Sequence, residues 1–278
     1  MTIDEIIINA LQEDVGDGDH TSLSTIPESA KGKAKLRIKQ DGILAGTEVA
    51  KKVFEQVDSS LKMNIFIGDG TPVKIGDIVF EVEGKATSIL TAERLALNFM
   101  QRMSGIASYT AYLTSLISGL NTKLLDTRKT TPLLRKLEKY SVVQGGGMNH
   151  RMGLYDMIMI KDNHIDFAGG IKNAINATNK YLKENNKNLK IEIEVRNFKE
   201  LNEVMESGGV HRIMLDNFSP ENLKKAIDII DGKYETEASG GITETTIREY
   251  AETGVDYISV GALTHQIKSL DMSLLASF

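Results

Sequence analysis

The segment from Leu189 to Asp216, LKIEIEVRNFKELNEVMESGGVHRIMLD, contains the pattern from which the fold class follows. Two short apolar runs, LKIEIEV and HRIMLD, flank a segment with the apolar spacing of a helix, FKELNEVMES. A strand, a helix and a second strand in this order indicate a parallel βαβ unit. Charged side chains lie at the ends of both predicted strands, at Glu194 and Asp216. The carboxyl ends of parallel strands meet at one edge, so these side chains are candidates for a functional site.

The same alternation extends through the second part of the chain. Further apolar runs end at or near a polar residue or a glycine; they are KLLD to Asp126, YDMIMIK to Lys161, YETEAS to Ser239 and VDYISVG to Gly261. The run YSVVQ is a candidate for another strand. Six or seven strand–helix units predict a closed or nearly closed (β/α) barrel rather than an open sheet. A complete barrel takes about 250 residues. Fewer remain, so we expect a compact or incomplete, TIM-like barrel.

The first part of the chain has a mixed pattern. IDEIIINALQED has helical spacing, AKLRIKQDGILAG alternates like a strand, and GDGTPVKIGDIVFEVEGKA reads as short strands with glycine turns. A long helical pattern follows, and we interpret Ser104-Gly105 as an interruption and as a domain boundary. We therefore predict an α/β protein with an N-terminal domain of residues 1–104 and a barrel domain of residues 105–278, whose C-terminal tail is able to pack back on the N-terminal domain.

Composition and charge exclude several classes of protein. The chain has 278 residues, a formal net charge of −5 and no cysteine. There are therefore no disulfides, thiolate metal sites or cysteine nucleophiles. The acidic charge disfavours nucleic acid as a partner, and no apolar run approaches the ~20 residues that span a bilayer. The acidic N-terminus lacks the basic segment of a signal peptide, so we expect a cytoplasmic protein without a membrane partner.

Positive charge is concentrated in one segment of this acidic chain. From Lys123 to Lys161 there are eight Lys or Arg against three Asp or Glu, a local net charge of +5. Arginine binds carboxylate or phosphate through a planar fork, and lysine supplies a point charge. We expect the cations near predicted strand ends to hold a small, multiply anionic molecule. They are Arg128, Lys129, Arg151 and Lys161.

Alternatives stay open for the neighbours of these cations. His150 follows Gly145 to Gly147, whose backbone amides could approach an anion. Its neighbour Arg151 favours a ligand contact for this histidine over a buried hydrogen bond, whereas His164 is expected to be structural. The segment LLRKLEKY has helical spacing, so its cations are interpreted as a solvated helix face; they are Arg135, Lys136 and Lys139.

The acidic strand ends predict a metal site. Glu194 and Asp216 suit Mg²⁺, which keeps several waters and takes one or two carboxylates plus substrate phosphates. Glu192 shares a strand face with Glu194, so the sequence does not rank the two, and salt bridges to the nearby cations are the alternative. Two glycine motifs, SGG from Ser239 to Gly241 and VGA from Val260 to Ala262, predict phosphate contacts after the last barrel strands. Neither a dinucleotide fingerprint nor a P-loop motif is present.

Several segments, in this order, resemble the quinolinate phosphoribosyltransferase family, also called nicotinate-nucleotide pyrophosphorylase (carboxylating). They are LTAERLALNFMQRMSGIAS, DTRKTTP, GGGMNHRMGLYDMIMIKDNHI, EIEV, IMLDNFSPE, EASGGIT and VDYISVGALTH. The resemblance extends nearly from end to end. One departure is Leu133, because the family commonly has glycine after TTP. We expect it to alter the entry into the following helix rather than the chemistry.

The resemblance implies an N-terminal α/β sandwich domain joined to an incomplete α/β barrel. It implies an enzyme that transfers a phosphoribosyl group from phosphoribosyl pyrophosphate to quinolinate with loss of CO₂, giving nicotinate mononucleotide and pyrophosphate in NAD biosynthesis. Mg²⁺ is the implied cofactor, and the implied assembly is a homodimer or a hexamer of dimers with shared active sites. Two alternatives stay open: a paralogous enzyme that acts on a different acid acceptor, such as the molybdenum-locus paralogues, and a non-catalytic barrel that senses a phosphorylated metabolite.

The resemblance also implies roles for residues at matching motif positions. Quinolinate is expected to contact Arg102, Arg128, His150, Arg151 and Lys161. Phosphoribosyl pyrophosphate is expected to contact Thr127, Lys129, Glu194, Asp216, Ser239, Gly240, Gly241, Val260, Gly261 and Ala262. Glu194 and Asp216 are expected to bind Mg²⁺, directly or through water. Arg102 is expected to enter the site from the partner subunit, which would account for an arginine in an otherwise apolar helix.

Overall fold

The computed structural model describes residues 1–277 and divides into two compact units. The first unit comprises residues 1–112, residues 130–146 and the C-terminal segment from Ala262. The second unit comprises residues 113–129 and 147–261. The boundary predicted between residues 104 and 105 lies inside a helix, and the predicted domain division stays a prediction.

The first unit is built on an antiparallel sheet. Its strands are β1 (Lys31–Ile38), β2 (Gly42–Ile43), β3 (Lys62–Ile65), β4 (Pro72–Val73), β5 (Ile78–Lys85) and β12 (Met272–Ser277). Its helices are α1 (Ile3–Val15), α2 (His20–Thr25), α3 (Thr47–Val57), α4 (Ala86–Leu116, which continues into the second unit), α5 (Arg135–Gln144) and α11 (Ala262–His265). The main sheet has the order β12-β1-β5-β3, and β2 pairs with β4 separately. Because β12 pairs with β1, a C-terminal strand completes this sheet.

One face of this sheet carries the core of the first unit. Ala34, Leu36 and Ile38 alternate along β1 and are all buried, as period two requires for a sheet with one covered face. Phe54 of α3 packs edge-on against Phe80 of β5, with the ring centroids 5.9 Å apart. A sheet covered by helices is the predicted α/β sandwich, and this prediction is confirmed.

Two predictions about helices are wrong. α4 runs without a break through Ser104-Gly105, and a Cβ atom at Gly105 would collide with the backbone oxygen of Lys268. Glycine is needed there for the close approach of two segments. YSVVQ forms the end of α5 rather than a strand, with Ser141 buried one turn after Leu137. Over five residues a buried helical face and a buried strand have the same composition, so the run alone does not distinguish them.

The second unit is an incomplete (β/α) barrel. Its strands are β6 (Lys123–Leu125), β7 (Ile158–Ile160), β8 (Ile191–Val195), β9 (Arg212–Asp216), β10 (Glu235–Ser239) and β11 (Tyr257–Ser259). Its helices are α6 (Asp162–Ala168), α7 (Ile171–Glu184), α8 (Phe198–Ser207), α9 (Pro220–Ile230) and α10 (Ile247–Ala251). The strands form one parallel sheet in the order β6-β11-β10-β9-β8-β7.

The two ends of this sheet are not joined. On its outer edge β6 meets a single residue, Met148, through a parallel bridge to Leu125. Within residues 1–277, β7 pairs with β8 alone, so the ring is open between Met148 and β7. The predicted incomplete barrel is therefore confirmed. Among the described residues, every helix is too short or too polar to cross a membrane.

β8 shows how local sequence builds the interior of the barrel. All its residues are buried, although glutamate alternates with apolar residues. Period two directs Ile191 and Ile193 to one face and Glu192 and Glu194 to the other. A parallel strand in a barrel has helices on its outer face and other strands' side chains on its inner face. The two glutamates therefore face the barrel interior, where they need polar partners.

Candidate active site

The carboxyl ends of β9 and β10 place three polar side chains in direct contact. Ser239 lies opposite Asp216 in the strand register, and its hydroxyl donates to Asp216 Oδ1 at 2.8 Å. The Asn217 amide donates to Asp216 Oδ2 at 2.6 Å. The carboxylate of Asp216 is thus held in a defined direction at the rim, by which we mean the carboxyl ends of the barrel strands and the residues that follow them.

The two glycines after Ser239 serve different purposes. Gly240 has a φ of +93°, and a Cβ atom there would collide with Asn217 Oδ1. Asn217 is itself left-handed, with a φ of 57°, a conformation that asparagine tolerates better than most residues. Gly240 therefore makes room for the amide that orients Asp216. Gly241 has a φ of +62° with open space where a side chain would be, which suits a backbone that a ligand approaches closely.

Lys161 and Glu194 form an ion pair at the ends of β7 and β8. Lys161 Nζ lies 2.7 Å from Glu194 Oε2, and the glutamate side chain is 9% exposed against 44% for the lysine. The Lys161 N–H donates to His164 Nδ1 at 2.9 Å, so His164 has a local structural contact at the start of α6. The salt bridge left open as an alternative for Glu194 is therefore present, and it joins a cation and a carboxylate at the rim.

Deeper in the barrel, three buried side chains meet: His150, Glu192 and Glu237. His150 Nε2 lies 2.9 Å from Glu192 Oε2 and 3.4 Å from Glu237 Oε2. Glu192 precedes Glu194 by two positions on the same face of β8, so it lies one layer below the rim. The sequence did not show which of the two glutamates lies at the rim. In the structure Glu194 contacts Lys161 at the rim, and Glu192 contacts His150 below it.

The electrostatics of this buried group are set by burial and by neighbouring charges. Burial and the charge of Glu237 raise the pKa of Glu192 to about 7. Burial lowers the pKa of His150, but the hydrogen bonds with the two glutamates outweigh it and raise that pKa to about 9. Burial also opposes ionisation of Glu237, yet His150 and Arg212 lower its pKa overall. Arg212 Nη1 donates to Glu237 Oε2 at 3.0 Å, and its guanidinium lies 4.0 Å from the ring centroid of Tyr257.

Arg151 is affected by burial and by the positive charge of Arg128. Arg151 lies in the irregular segment between Met148 and β7 and is partly buried. Burial lowers the pKa of Arg151, and the positive charge of Arg128 lowers it further. Arg128 is exposed after β6, where the N–H of Lys129 donates to Thr127 Oγ1 at 3.0 Å. Like charges raise the energy of an unliganded site and favour a bound anion.

The cations of the rim have different surroundings. Arg151 lines a groove of about 350 Å³ along β7, together with His164, Met157 and Met159. Lys161 is engaged with Glu194. The arrangement of Arg128, Arg151 and Lys161 around one shared pocket stays a prediction.

Arg102 lies on α4 in the first unit, where it binds Glu138 of α5. Its Nε and Nη2 donate to Glu138 Oε1 at 2.9 and 2.5 Å, and Nη2 also donates to Thr131 Oγ1 and to the backbone oxygen of Thr264. The buried Glu138 gives an intramolecular reason for an arginine in an apolar helix. The solvated face predicted for α5 is wrong at Lys139, which is fully buried.

The remaining predicted residues fall at separate places. Val260 is buried, and its N–H donates to the backbone oxygen of Leu125 at 3.0 Å, so it joins the end of β11 to β6. Gly261 ends the second unit, and Ala262 begins α11 in the first. Gly145 is buried, and a Cβ atom there would collide with a backbone oxygen of α4, so close packing accounts for this glycine. The predicted contacts of Val260 to Ala262 with phosphate stay predictions.

Two donor sets have the chemistry to bind a metal ion. Glu194 and Asp216 lie on adjacent strands and offer the hard carboxylate oxygens that Mg²⁺ prefers, so these residues fit that ion. The ligand atoms of His150, Glu192 and Glu237 lie within 4.8 Å of one another. There, however, His150 and Glu192 are at hydrogen-bonding distance and Arg212 already balances Glu237. A group of paired charges explains that cluster better than a metal.

Among the polar residues with defined contacts, Glu237, Asn217 and Glu138 are not identified from the sequence. Glu237 precedes Ser239 by two positions on β10, so the alternation of the strand indicates its inward direction. Asn217 has a positive φ that no residue spacing reveals. Glu138 lies in a helix that reads as solvated, and its burial depends on the packing of α5 against α4.

The fold and the rim define a protein with an N-terminal α/β sandwich and an incomplete barrel that presents cations and carboxylates to an anionic ligand. Comparison with known proteins identifies the family. The model for "Quinolinate phosphoribosyl transferase, C-terminal domain" matches residues 106–275, and the model for the N-terminal domain matches residues 19–104. The chain therefore belongs to the quinolinate phosphoribosyltransferase family.

Individual relatives agree with this assignment. Quinolinate phosphoribosyltransferase (decarboxylating) 1b of Nicotiana tabacum is 46% identical, over 97% of this chain and 81% of the relative. The probable nicotinate-nucleotide pyrophosphorylase (carboxylating) of Bacillus subtilis is 41% identical, over 94% of this chain and 89% of the relative. The crystal structure of NadC from Streptococcus pyogenes superimposes with a TM-score of 0.94 at 40% identity, covering 99% of this chain and 97% of that one.

Proposed function

We propose that this chain transfers the phosphoribosyl group of phosphoribosyl pyrophosphate to quinolinate and removes CO₂, which yields nicotinate mononucleotide and pyrophosphate for NAD synthesis. The ring nitrogen of quinolinate attacks the anomeric carbon of the ribose while the bond to pyrophosphate breaks. The ring nitrogen is then quaternary and accepts the electron pair left by the carboxylate at position 2, which departs as CO₂. A proton takes its place on the ring carbon.

The cationic part of the rim is proposed to bind quinolinate. Arg128 and Arg151 supply guanidinium forks for its two carboxylates, and Lys161 supplies a further charge. His150 belongs to this part of the site. Arg102 is proposed to contribute from the partner subunit. Removal of water from the carboxylate at position 2 would favour its loss as neutral CO₂.

The acidic and glycine-rich part of the rim is proposed to bind phosphoribosyl pyrophosphate. Its residues are Thr127, Lys129, Glu194, Asp216, Ser239, Gly240, Gly241, Val260, Gly261 and Ala262. Glu194 and Asp216 would hold Mg²⁺, directly or through water. When bound, the metal would neutralise charge on the pyrophosphate. Lys129 would add a positive charge beside the same phosphates, and Ser239 and Asn217 keep the Asp216 carboxylate oriented.

Catalysis in this proposal depends on position and charge rather than on a covalent intermediate. The rim holds two anionic substrates at fixed positions, which lowers the entropic part of the barrier. Fixed cations stabilise the negative charge that develops on the departing pyrophosphate. A homodimer, or a hexamer of dimers, with shared active sites and a cytoplasmic location are parts of the same proposal.

The observation that supports the proposal most directly is the partly buried position of Arg151 together with the positive charge of Arg128, both of which lower the pKa of Arg151. An anion with two carboxylates would balance these charges. Replacing Arg151 removes a charged hydrogen bond, which contributes roughly 1.5–3 kcal/mol. Arg151→Ala should therefore lower kcat/KM for quinolinate at least tenfold. Arg248→Ala is the matched control, because Arg248 is bound to Glu252 and to the backbone oxygens of Leu116 and Ser118.

The assay incubates the protein with quinolinate, phosphoribosyl pyrophosphate and Mg²⁺ and measures nicotinate mononucleotide and CO₂. Both products in equal amounts support the proposal. Turnover of nicotinate without release of CO₂ would indicate the paralogous enzyme, and binding without turnover would indicate a sensor. An Arg151→Ala variant with the kcat/KM of the wild type would remove Arg151 from the site.

A further inference from the structure

We propose that Glu192 and Glu237 are positioning residues for Arg151 and that they act on it through the ring of His150. This inference deepens the proposed function and rests on it, because it explains how one quinolinate-binding arginine is held in place. Neither glutamate is expected to touch a substrate, since both lie below the rim and are fully buried.

Both ring nitrogens of His150 lie close to a polar group. The backbone N–H of Arg151 donates to Nδ1 at 2.6 Å, so Nδ1 acts as an acceptor and carries no proton in this arrangement. This hydrogen bond favours the neutral ring and therefore opposes the rise in the pKa of His150 that the two glutamates cause. While it is formed, the single ring proton is on Nε2. That nitrogen faces Glu192 Oε2 at 2.9 Å and Glu237 Oε2 at 3.4 Å. The two carboxylates thus select the tautomer that accepts the Arg151 N–H.

The carboxylates are themselves held by the barrel. Glu192 and Glu237 extend inward from β8 and β10, which are regular strands with pairing on both sides. Arg212 of β9 donates to Glu237 Oε2 at 3.0 Å. A continuous series of contacts therefore leads from Arg212 through Glu237 and His150 to the backbone of Arg151.

The segment that carries Arg151 is irregular and is held by side-chain contacts, among them those of Asp156 with the N–H groups of Met152 and Gly153 at 2.7 and 2.8 Å. It contains neither helix nor strand from Asn149 to Met157. His150 N–H donates to Asp126 Oδ1 at 2.9 Å, and Arg151 Nη1 donates to the backbone oxygen of Met157 at 3.2 Å. The ring of His150 is the contact that reaches the Arg151 backbone itself. Loss of the carboxylates would free the ring to turn or to change tautomer, and the Arg151 N–H would lose its acceptor.

The test replaces each glutamate with its amide, Glu192→Gln and Glu237→Gln, which keeps the side-chain shape. The matched control is Glu235→Gln, because Glu235 also binds Arg212, at 3.0 Å, and lies two positions further from the rim than Glu237 on β10. In both amide variants kcat/KM for quinolinate should fall on the order of tenfold, while KM for phosphoribosyl pyrophosphate stays within twofold of the wild type. The control should leave both constants unchanged.

A second readout does not depend on turnover. In protein labelled with ¹⁵N-histidine and ¹⁵N-arginine, NMR should show His150 protonated at Nε2 in the wild type and in Glu235→Gln. In Glu192→Gln and Glu237→Gln the His150 ring signals and the Arg151 amide signal should shift together. If the wild type does not convert quinolinate, the proposed function fails, but these spectra still decide whether the glutamates position Arg151.

Two outcomes would overturn the inference. One is a parallel rise of both KM values in the amide variants, with an unchanged His150 tautomer, which would indicate a general loss of structure. The other is wild-type kinetics in both amide variants together with an unchanged Arg151 amide signal. A correctly folded variant is verified by its circular dichroism, so a failure to fold is not mistaken for either result.

Discussion

Replacing Arg102 should destabilise the protein because the buried carboxylate of Glu138 would lose its cation. This effect does not depend on any role of Arg102 in substrate binding. Glu138 is 1% exposed, and its carboxylate accepts hydrogen bonds from Arg102 Nε, from Arg102 Nη2 and from the Thr131 N–H at 3.1 Å. Arg102→Ala removes two of these three donors and the positive charge. A buried carboxylate without its cation is costly, because burial penalises the charged form.

The magnitude follows from the burial of the pair. Breaking a fully buried ion pair from one side costs about 3–5 kcal/mol. The Arg102 side chain is 32% exposed, so water can partly replace it, and we expect a loss of about 3 kcal/mol, at the lower end of that range. For a chain of this size, each kcal/mol lowers Tm by about 2–4 °C. Arg102→Ala should therefore lower Tm by about 6–12 °C.

A double-mutant cycle separates this effect from simple truncation. Glu138→Gln removes the charge that Arg102 balances, so adding Glu138→Gln to Arg102→Ala should restore part of the lost stability, with a coupling energy of about 1–3 kcal/mol. Arg94→Ala, at an exposed position on the same helix, is the control and should change stability by no more than about 0.5 kcal/mol. Differential scanning calorimetry of all four variants measures these values. A Tm for Arg102→Ala within about 2 °C of the wild type, or strictly additive effects, would refute the reasoning.

Two further predictions concern backbone strain and pH. Leu133 has a φ of 68° and is 66% exposed, and a leucine in this left-handed conformation costs about 1–2 kcal/mol. Glycine avoids that cost, but its greater freedom in the unfolded chain offsets part of the gain. Leu133→Gly should therefore raise Tm by about 1–3 °C, and a lower Tm would contradict this. Asp19 caps α2, and its hydrogen bonds from Ser22 lower its pKa; Asp19→Ala should cost about 1 kcal/mol at pH 7. Because the pKa is lower in the folded state, the charged form stabilises the fold above the unfolded pKa of about 3.9, and this contribution is lost as the pH falls through the folded value. Urea unfolding should therefore show a smaller difference between wild type and variant at pH 3 than at pH 7, and an equal difference would contradict the assignment.

Much of the barrel is predictable from the sequence because its signals are local. The apolar runs of LKIEIEV and HRIMLD become β8 and β9, since a strand buried on both faces has to be short and mostly apolar. Asp216 and Lys161 lie at strand ends in the sequence and lie there in the fold, because parallel strands bring their carboxyl ends to one rim. The position of Lys161 beside Glu194 follows from the neighbouring places of β7 and β8 in the sheet.

Other features depend on contacts that no local pattern contains. Lys139 and Glu138 read as solvated helix positions but are buried. A side chain at Gly240 would collide with Asn217, which follows β9 rather than β10. The ring of His150 meets Glu192 and Glu237, which come from two different strands, and no residue spacing indicates these contacts.

The strand and helix pattern, the incomplete barrel and the concentration of charge at the strand ends follow from the order of residues, because periodicity and the parallel arrangement of strands are local properties. Which buried charge meets which partner is evident from the folded structure alone. The cost of burying a polar group is balanced by neighbours that are distant in the chain, as Arg102 and Glu138 show. Such pairings depend on the packing of whole elements rather than on residue spacing.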